Sequence, residues 1–210
     1  MALRAVIFDF GMVLTGLPDA KAHDELLRIT GLDAERFEHF YWADRHAYDE
    51  GKLTGLGFWQ KLVRDAGLSL PDSTIEELNR WDARMWTTVD PAMLAWHAKV
   101  KETGVLTAIL SNMGDSVLEN IEREFDWLSS FDALVWSYQL GVAKPDPAIY
   151  QYTLKQLGTA AGDTLFIDDK PVNVEAARAL GMQALVYTTL AKLRYDLLDQ
   201  GLSPGLPLPE

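Results

Sequence analysis

The stretch that decides the fold is Ala5-Val6-Ile7-Phe8-Asp9-Phe10-Gly11-Met12-Val13-Leu14. Its apolar first half predicts a buried strand, and Asp9 interrupts the apolar run where that strand would end. Open α/β sheets bind their ligands at the carboxyl ends of their strands, so Asp9 is a candidate functional carboxylate. A second aspartate two positions later would place a proton donor beside it, but that position is Gly11. Gly11 therefore supplies no proton donor beside this candidate carboxylate.

The composition limits the kinds of protein this chain can be. Its 210 residues are 48% hydrophobic and 24% charged, enough for one domain with an insertion or for two small domains. The formal net charge of −12 argues against nucleic acid as a partner, because such binding uses clustered lysine and arginine. An anionic substrate would need local positive charge, which a divalent cation and a lysine can supply.

The sequence also predicts where the protein works. No apolar run approaches the roughly 20 residues that a membrane-spanning helix requires, and the first residues lack a basic region followed by an apolar stretch. The chain has no cysteine, which excludes thiolate chemistry and is compatible with a reducing compartment. We expect a soluble cytoplasmic protein that does not bind membranes, and the sequence leaves the oligomeric state open.

Strand-like and helical segments alternate along the chain, with one helical block inserted after the first strand. Residues 20–88 hold only amphipathic segments, in which Asp33 is a predicted helix N-cap and Ser73 with Glu76 has the spacing of a capping box. Short apolar strands separated by helices then indicate a parallel sheet covered on both faces. These later strands are predicted at residues 105–110, 133–136, 164–167 and 184–187.

Polar residues follow four of the predicted strands. Because the carboxyl ends of parallel strands lie at one edge of a sheet, these residues are expected to meet in one pocket. Taken singly, each has a structural explanation as a turn, a helix start or an acid that favours a helix N-terminus. The polar residues are Asp9, Ser111 with Asn112, Lys144 with Pro145, and Asp168 with Asp169.

The residue types in this set predict a site for a phosphate group and a metal ion. Two or three carboxylates with a backbone carbonyl form a hard oxygen site, which suits Mg²⁺, and Mg²⁺ takes a phosphate oxygen as a further ligand. A lysine adds a compact positive charge to the same phosphate. A serine hydroxyl and main-chain N–H groups at a helix start complete an anion cradle.

The four segments resemble the motifs of the haloacid dehalogenase superfamily, in its members with a helical cap inserted after the first motif. The resemblance implies a Rossmann-like, doubly wound parallel α/β core of residues 1–16 and 89–201, an all-helical cap of residues 17–88, and a flexible tail of residues 202–210. The segments are Phe8-Asp9-Phe10-Gly11, Leu110-Ser111-Asn112, Gly141-Val142-Ala143-Lys144-Pro145-Asp146-Pro147-Ala148-Ile149-Tyr150 and Phe166-Ile167-Asp168-Asp169.

The resemblance also implies a role for each acidic residue. Asp9, ionised at pH 7 from a reference pKa of about 3.9, would attack phosphorus and become an aspartyl phosphate that water hydrolyses. Asp9, the main-chain carbonyl of Gly11 and Asp169 would bind Mg²⁺, with Asp168 assisting directly or through water. The predicted substrate is a small phosphorylated metabolite.

The remaining motif residues would bind the phosphoryl group. The resemblance implies that Ser111 and Asn112 hydrogen-bond this group and that Lys144 neutralises charge on both nucleophile and phosphate. Because phosphoryl transfer depends mainly on the placement of charge, these side chains could supply most of the rate enhancement.

Position 11 departs from most phosphatases of the superfamily, in which an aspartate protonates the leaving oxygen. Gly11 cannot do so, and a positioned acid is typically worth about 10²- to 10⁴-fold in rate. The Asp-Phe-Gly form resembles a branch that includes sugar-1-phosphate phosphatases similar to α-glucose-1-phosphatase. A sugar phosphate is therefore one predicted substrate.

Two other functions stay open at this point. A 2-haloacid dehalogenase would use Asp9 to displace halide from carbon without metal, although the Asp168-Asp169 pair looks like a magnesium site. A non-catalytic binding or regulatory protein would keep the phosphate cradle without turnover. Phosphate or halide release in the presence of Mg²⁺ or EDTA distinguishes all three.

Substrate specificity is expected to come from the cap. The stretch Phe40-Tyr41-Trp42-Ala43-Asp44-Arg45-His46-Ala47-Tyr48 and the pair Phe58-Trp59 are candidates to face the site. Packing inside a small helical core is the favoured interpretation of these aromatic residues. Arg45 is expected on a solvated helix face and His46 on the surface. Linkers near residues 15–19 and 87–90 predict a hinge for the cap.

Overall fold

The core of the molecule is a parallel sheet. The structure is a computed structural model that describes residues 3–202 and 205–210. Within these ranges the sheet has five strands in the spatial order β3-β2-β1-β4-β5, each parallel to its neighbours, which confirms the predicted α/β architecture. The strands are β1 (Ala5–Phe8), β2 (Leu106–Ser111), β3 (Ala133–Trp136), β4 (Thr164–Asp168) and β5 (Gln183–Val186).

The helices form two groups, one inserted between β1 and β2 and one around the sheet. The inserted helices are α1 (Ala20–Thr30), α2 (Ala34–Ala43), α3 (Arg45–Asp49), α4 (Gly55–Asp65) and α5 (Asp72–Met85). The others are α6 (Pro91–Glu102), α7 (Asp115–Glu124), α8 (Ser137–Leu140), α9 (Pro147–Leu157), α10 (Pro171–Ala179) and α11 (Leu190–Asp199).

Both faces of the sheet are covered, as a parallel sheet requires. Val6 and Phe8 of β1 point into a hydrophobic cluster that includes residues of α6, α7 and α11. Ala5 and Ile7 point into a second cluster with residues of α9 and α10. Because successive side chains of a strand alternate between faces, β1 reads as a continuous apolar run. That run ends at Asp9.

The inserted helices pack around a third hydrophobic cluster, which consists entirely of residues between Ala22 and Met85. Its largest members are aromatic and almost fully buried: Phe37, Tyr41, Tyr48, Phe58 and Trp59. This separate cluster supports the proposed division into a core of residues 1–16 and 89–201 and a cap of residues 17–88. It also confirms that most of the cap aromatics form a small helical core.

Helix capping follows the sequence at some positions and departs from it at another. Asp33 accepts a hydrogen bond from the Arg36 N–H at 2.9 Å and so caps α2 as predicted. The capping box at Ser73 and Glu76 is wrong, because α5 begins at Asp72 and its cap position is Pro71, two residues before the predicted cap. The fixed φ of proline favours an extended residue immediately before a helix.

The two linkers between core and cap run side by side. Thr15 and Val89 form an antiparallel bridge, and the N–H of Gly16 donates to the Thr88 carbonyl at 2.7 Å. The N–H of Asp90 donates to the Leu14 carbonyl at 2.9 Å. The chain therefore enters and leaves the cap through one narrow hydrogen-bonded ribbon.

The C-terminal residues 205–210 differ from the predicted flexible tail, because they lie against the core. Trp96 Nε1 donates to the Pro207 carbonyl at 2.8 Å, and Leu206 is buried in the core cluster. Arg194 donates to the Pro209 carbonyl at 3.0 Å. Prolines lack an N–H but keep a carbonyl acceptor, which explains how a proline-rich segment is held here. Ser203 and Pro204 of the predicted tail lie outside the described residues.

Among the described residues, no helix combines the length and the apolar character that are needed to cross a bilayer.

Candidate active site

Asp9 stands at the centre of the edge where the strands end. Phe8 pairs with Ile109 of β2 and with Ile167 of β4, so Asp9 comes one step beyond both pairs, level with Leu110 and Asp168. The carboxylate is buried, and its Oδ1 accepts a hydrogen bond from the Phe10 N–H at 2.7 Å. Oδ1 also lies 2.9 Å from Lys144 Nζ. Both contacts fall on one oxygen, so the other oxygen is available for chemistry.

Lys144 is a buried cation that joins three of the strand ends. Its Nζ contacts Asp9 and donates to Asp168 Oδ2 at 2.6 Å and to the Leu110 carbonyl at 2.9 Å. The Asn112 side chain holds the Lys144 backbone from both sides, accepting from its N–H and donating to its carbonyl, each at 2.8 Å. Sequence reasoning placed Asn112 on the phosphate, whereas in the structure its amide first fixes the loop that carries Lys144.

Asp168 is fully engaged by neighbouring donors. Besides Lys144, it accepts from the Lys170 N–H at 2.8 Å and from Asn173 Nδ2 at 3.0 and 3.1 Å. Burial alone would raise the pKa of Asp168, but Lys144 and these hydrogen bonds outweigh burial and lower it. Asp168 is therefore ionised and holds Lys144 in place.

The three carboxylates form the cluster that the sequence predicted. One oxygen from each of Asp9, Asp168 and Asp169 lies within 4.8 Å of the others. Burial raises the pKa of Asp9 to about 7, since the nearby negative charges of Asp168 and Asp169 add to burial and Lys144 only partly opposes it. The pKa of Asp169 is also raised, mainly by burial and then by Asp168. One ammonium thus does not balance the cluster.

These donors fit Mg²⁺. The cluster offers hard carboxylate oxygens, holds more negative charge than Lys144 neutralises, and contains two carboxyl groups that burial keeps from ionising freely. A divalent cation would remove that penalty, because it favours the ionised form of each ligand. Of the three, Asp9 and Asp169 keep more free acceptor capacity than Asp168, whose oxygens are already bonded.

Ser111 and Gly11 border the same cavity, whose volume is about 260 Å³. Ser111 is the last residue of β2 and is buried. Gly11 has φ −65° and ψ 135°, which any residue can adopt, and a Cβ built on it would meet no atom within 4 Å. The backbone therefore does not require glycine at position 11, and a larger side chain could be accommodated there.

The cap closes the other side of the cavity. Its lining there comprises Pro18, Trp42, Arg45, Asp49 and Trp86. Sequence reasoning named Trp42 within the candidate cap stretch, and Trp42 does reach the cavity. The pair Phe58-Trp59 does not line it and is buried in the cap cluster instead. His46 keeps 65% of its side chain exposed, as expected for a surface histidine.

Arg45 is buried, so the expected solvated arginine is wrong. Its guanidinium pairs with Asp49 and Asp82 at 3.1 Å each. It also lies 5.1 Å from the Tyr48 ring centre and 5.6 Å from that of Trp86. Asp82 lies in α5, far along the chain, and no local pattern identifies it as the partner.

Two further side chains of the site were missed as functional residues. Asn173, in the first turn of α10, lines the cavity and holds Asp168, while Tyr150 Oη donates to its carbonyl at 3.0 Å. Lys170 lines the cavity directly after the acidic pair. A polar residue in the first turn of the helix that follows Asp168-Asp169 is the signal that could have identified Asn173.

This fold and site define a hydrolase with a Rossmann-like core, an inserted helical cap and a buried carboxylate at the end of its first strand. The chain belongs to the haloacid dehalogenase-like hydrolases, whose family description it matches over residues 3–181. It is 31% identical to the sesquiterpene phosphatase astK of Aspergillus oryzae, covering 88% of this chain and 90% of that one. It is 26% identical to the D-ribitol-5-phosphate phosphatase of Bacteroides thetaiotaomicron, covering 93% and 97%.

Solved structures also resemble this fold. A haloacid dehalogenase family enzyme of Bacteroides thetaiotaomicron, crystallised with magnesium and inorganic phosphate, superimposes with a TM-score of 0.74 at 22% identity. The match covers 89% of this chain and 95% of that one. It confirms the Rossmann-like core with an inserted helical cap.

Proposed function

We propose that this hydrolase is a Mg²⁺-dependent phosphatase that hydrolyses a small phosphate monoester through an aspartyl phosphate at Asp9. The observation that carries the proposal is the contact between the Asp9 carboxylate and the buried Lys144 ammonium at 2.9 Å, inside a three-carboxylate cluster. Such an arrangement suits an anionic substrate, because it combines a nucleophile with cations. The two named relatives are phosphatases, which supports the same chemistry.

The chain supplies the nucleophile and the groups that stabilise the phosphoryl oxygens, and water supplies the proton and the second nucleophile. The free oxygen of Asp9 forms a bond to phosphorus while the ester P–O bond breaks, and the leaving oxygen takes a proton from water because Gly11 offers none. Lys144 stabilises the charge on the phosphoryl oxygens, and Ser111 donates a hydrogen bond to them. A water molecule then attacks phosphorus, which releases inorganic phosphate and restores the Asp9 carboxylate.

Asp9, the main-chain carbonyl of Gly11 and Asp169 would hold Mg²⁺, with Asp168 close by. When bound, Mg²⁺ supplies positive charge that offsets the phosphoryl oxygens and the clustered carboxylates. Asp168 meanwhile fixes Lys144 through its 2.6 Å contact, so the loss of Asp168 should disturb the lysine as well as the metal.

Phosphate release measured with Mg²⁺ and with EDTA tests the proposal. We expect release from p-nitrophenyl phosphate only with Mg²⁺, and a loss of at least about 10³-fold in Asp9→Asn, whose near-isosteric side chain leaves the fold intact. Asp24→Asn, at an exposed aspartate of α1, is the matched control and should keep full activity. Substantial turnover by Asp9→Asn would remove Asp9 as the nucleophile.

The same assay separates the alternatives. Metal-independent halide release from a 2-haloacid would show a dehalogenase, and neither product would indicate a binding or regulatory protein. Esters with graded leaving groups add a second test. Without an acid at position 11, the rate should depend steeply on the acidity of the leaving alcohol.

Two classes of natural substrate are suggested by the sequence and the relatives. A sugar phosphate is the substrate suggested by the Asp-Phe-Gly form of the first motif, and the ribitol-phosphate phosphatase supports a polyol ester. The sesquiterpene phosphatase supports an apolar one. A cytoplasmic location stays a prediction from the sequence.

A further inference from the structure

We propose that the leaving group of the substrate is an uncharged, apolar hydrocarbon or aromatic group rather than a polyol. This inference rests on the proposed phosphatase function and concerns the part of the cavity that lies beyond the phosphate site. Apolar side chains from both the core and the cap line this cavity: Met12, Pro18, Trp42, Trp86, Met113 and Val117. Three charged side chains, those of Arg45, Asp49 and Lys170, line it as well.

The two tryptophans present ring carbon rather than hydrogen-bond donors. An indole has a single N–H, and the one on Trp42 donates to Glu38 at 2.6 Å within α2. The N–H of Trp86 points to the Tyr41 hydroxyl at 3.3 Å. Both donors are thus used inside the cap, so a substrate hydroxyl beside either ring would find no partner there.

Arg45 is the cationic side chain on the cap side of the cavity, and its charge is already neutralised within the cap. Arg45 lines the cavity, but its Nε and Nη1 are bonded to Asp49, Asp82 and the Tyr41 hydroxyl. With two carboxylates around one guanidinium, the cap side carries no excess positive charge for a second phosphate. A bisphosphate is therefore a poor match for this wall.

The exposed surface next to the cavity continues the apolar lining. Trp42 is 49% exposed although it lines the cavity, and Leu17, next to the lining residue Pro18, is 73% exposed. Large apolar side chains held partly in water beside a cavity are typical of a binding surface. A hydrocarbon chain longer than the cavity could continue along them.

Two matched pairs of small molecules test the inference. For turnover, n-hexyl phosphate is compared with sorbitol 6-phosphate, a primary ester of the same carbon chain with a hydroxyl on each remaining carbon. For binding, which needs no catalysis, n-hexylphosphonate is compared with methylphosphonate by calorimetry with Mg²⁺. We expect kcat/KM for the hexyl ester and affinity for the hexylphosphonate to be higher by about 10-fold or more, since each buried methylene adds about 4-fold.

Trp42→Ala should reduce several-fold both the kcat/KM ratio of the two esters and the affinity ratio of the two phosphonates. Trp42→Phe should restore most of the loss because an aromatic ring is retained. Leu56→Ala is the matched control, since Leu56 is an exposed apolar residue of the cap that does not line the cavity. Its ratios should equal those of the parent protein.

The outcomes separate this inference from the proposed function. Equal binding of the two phosphonates, or faster turnover of sorbitol 6-phosphate, overturns the apolar leaving group. Absence of turnover of every ester, together with tighter binding of hexylphosphonate, overturns the phosphatase and leaves the apolar pocket standing.

Discussion

At the scale of single residues, the raised pKa of Asp9 makes metal binding depend on pH. A proton on Asp9 competes with Mg²⁺, because burial raises its pKa to about 7 in the metal-free protein. We expect the apparent Mg²⁺ affinity to fall by up to about tenfold per unit below pH 7 and to level off above it. Calorimetric titrations with MgCl₂ between about pH 6 and pH 8 measure this. A flat profile would contradict a protonated Asp9.

The raised pKa of Asp9 also makes the free energy of unfolding depend on pH, and this dependence is an independent check on the pKa. The folded-state pKa is raised, so the folded protein holds the Asp9 proton more tightly than the unfolded chain does. In EDTA the contribution of Asp9 to the free energy of unfolding should therefore decrease as the pH rises from about 4 to about 7. Excess Mg²⁺ should reverse that loss, and Asp9→Asn should remove it.

Gly11 is the residue at which activity can be gained. Because its φ of −65° suits any side chain and the space around a Cβ is open, Gly11→Asp should fold with a melting temperature close to that of the parent. A carboxyl group at this cavity position can protonate the leaving oxygen, which predicts an increase of about 10²-fold on poor alkyl leaving groups. Rates on p-nitrophenyl phosphate should change little.

Gly11→Ala is the matched control for this gain, since it adds the Cβ without an acid. An equal gain in Gly11→Ala, or no gain in Gly11→Asp with a correctly folded protein, would contradict the role of the missing acid.

At the scale of elements, Asp115 and Ser116 at the start of α7 form hydrogen bonds to the cap, and we call this contact the clasp. The N–H of Gly55 in α4 donates to Asp115 at 2.8 Å, and Asn79 of α5 donates to Ser116 at 2.9 Å. Gly114 lies so close to the cap that a Cβ on it would stand 2.1 Å from the Tyr48 ring. The site residue Ser111 is three positions before Gly114, so the clasp and the site share one loop.

Gly114→Ala should therefore push the cap away. We expect a loss of about 1–3 kcal/mol in the free energy of unfolding from the overpacked contact, and a higher KM because the cap no longer closes the cavity. Urea denaturation and steady-state kinetics measure the two effects. Gly162→Ala is the control, because a Cβ there meets nothing within 4 Å. An unchanged KM in Gly114→Ala would show that the clasp does not govern access.

Helix α6 contributes acid sensitivity. Its His97 is buried, lies 3.1 Å from the Thr107 hydroxyl and stacks on Phe131. Burial, followed by the charge of Lys101, lowers the pKa of His97 from 6.5 to about 4. A lowered histidine pKa stabilises the fold above the unfolded value, and that contribution is lost as the pH falls from 6.5 toward 4.

The free energy of unfolding at pH 7 and pH 5 tests this in the parent and in His97→Gln, which stays neutral. We expect the parent to lose about 1–2 kcal/mol more than the variant over this interval. Equal losses would show that His97 does not titrate with unfolding.

Elements could be predicted from sequence wherever one local signal was enough. Short apolar runs located every described strand to within one residue at each end, because burial on both faces leaves a continuous hydrophobic signature. The capping box failed since Pro71, rather than Ser73, sets the start of α5. The burial of Arg45 depends on Asp82 in another helix, and no periodicity carries such a contact.

At the scale of the whole molecule, the hydrogen-bonded ribbon between core and cap predicts a moving cap. This pair of linkers joins the cap covalently to the core, whereas the clasp at α7 combines separate hydrogen bonds with the packing of Tyr48 on Gly114. Such polar contacts between domains contribute little individually, so opening is readily reversible. A ligand that touches both sides should favour the closed state.

Hydrogen exchange measures this closure. With Mg²⁺ and n-hexylphosphonate bound, we expect slower exchange at residues 114–116 and at Gly55, because the ligand adds contacts between core and cap across the cavity. Helix α9 packs against β2, β3 and α10 of the core and should exchange at the same rate with and without ligand, which makes it the internal control. Asp115→Ala removes the bond to Gly55 and should speed exchange in the free protein. Protection that rises equally in α9 and at the clasp would mean that the ligand stabilises the entire fold, and the cap would then have no independent motion.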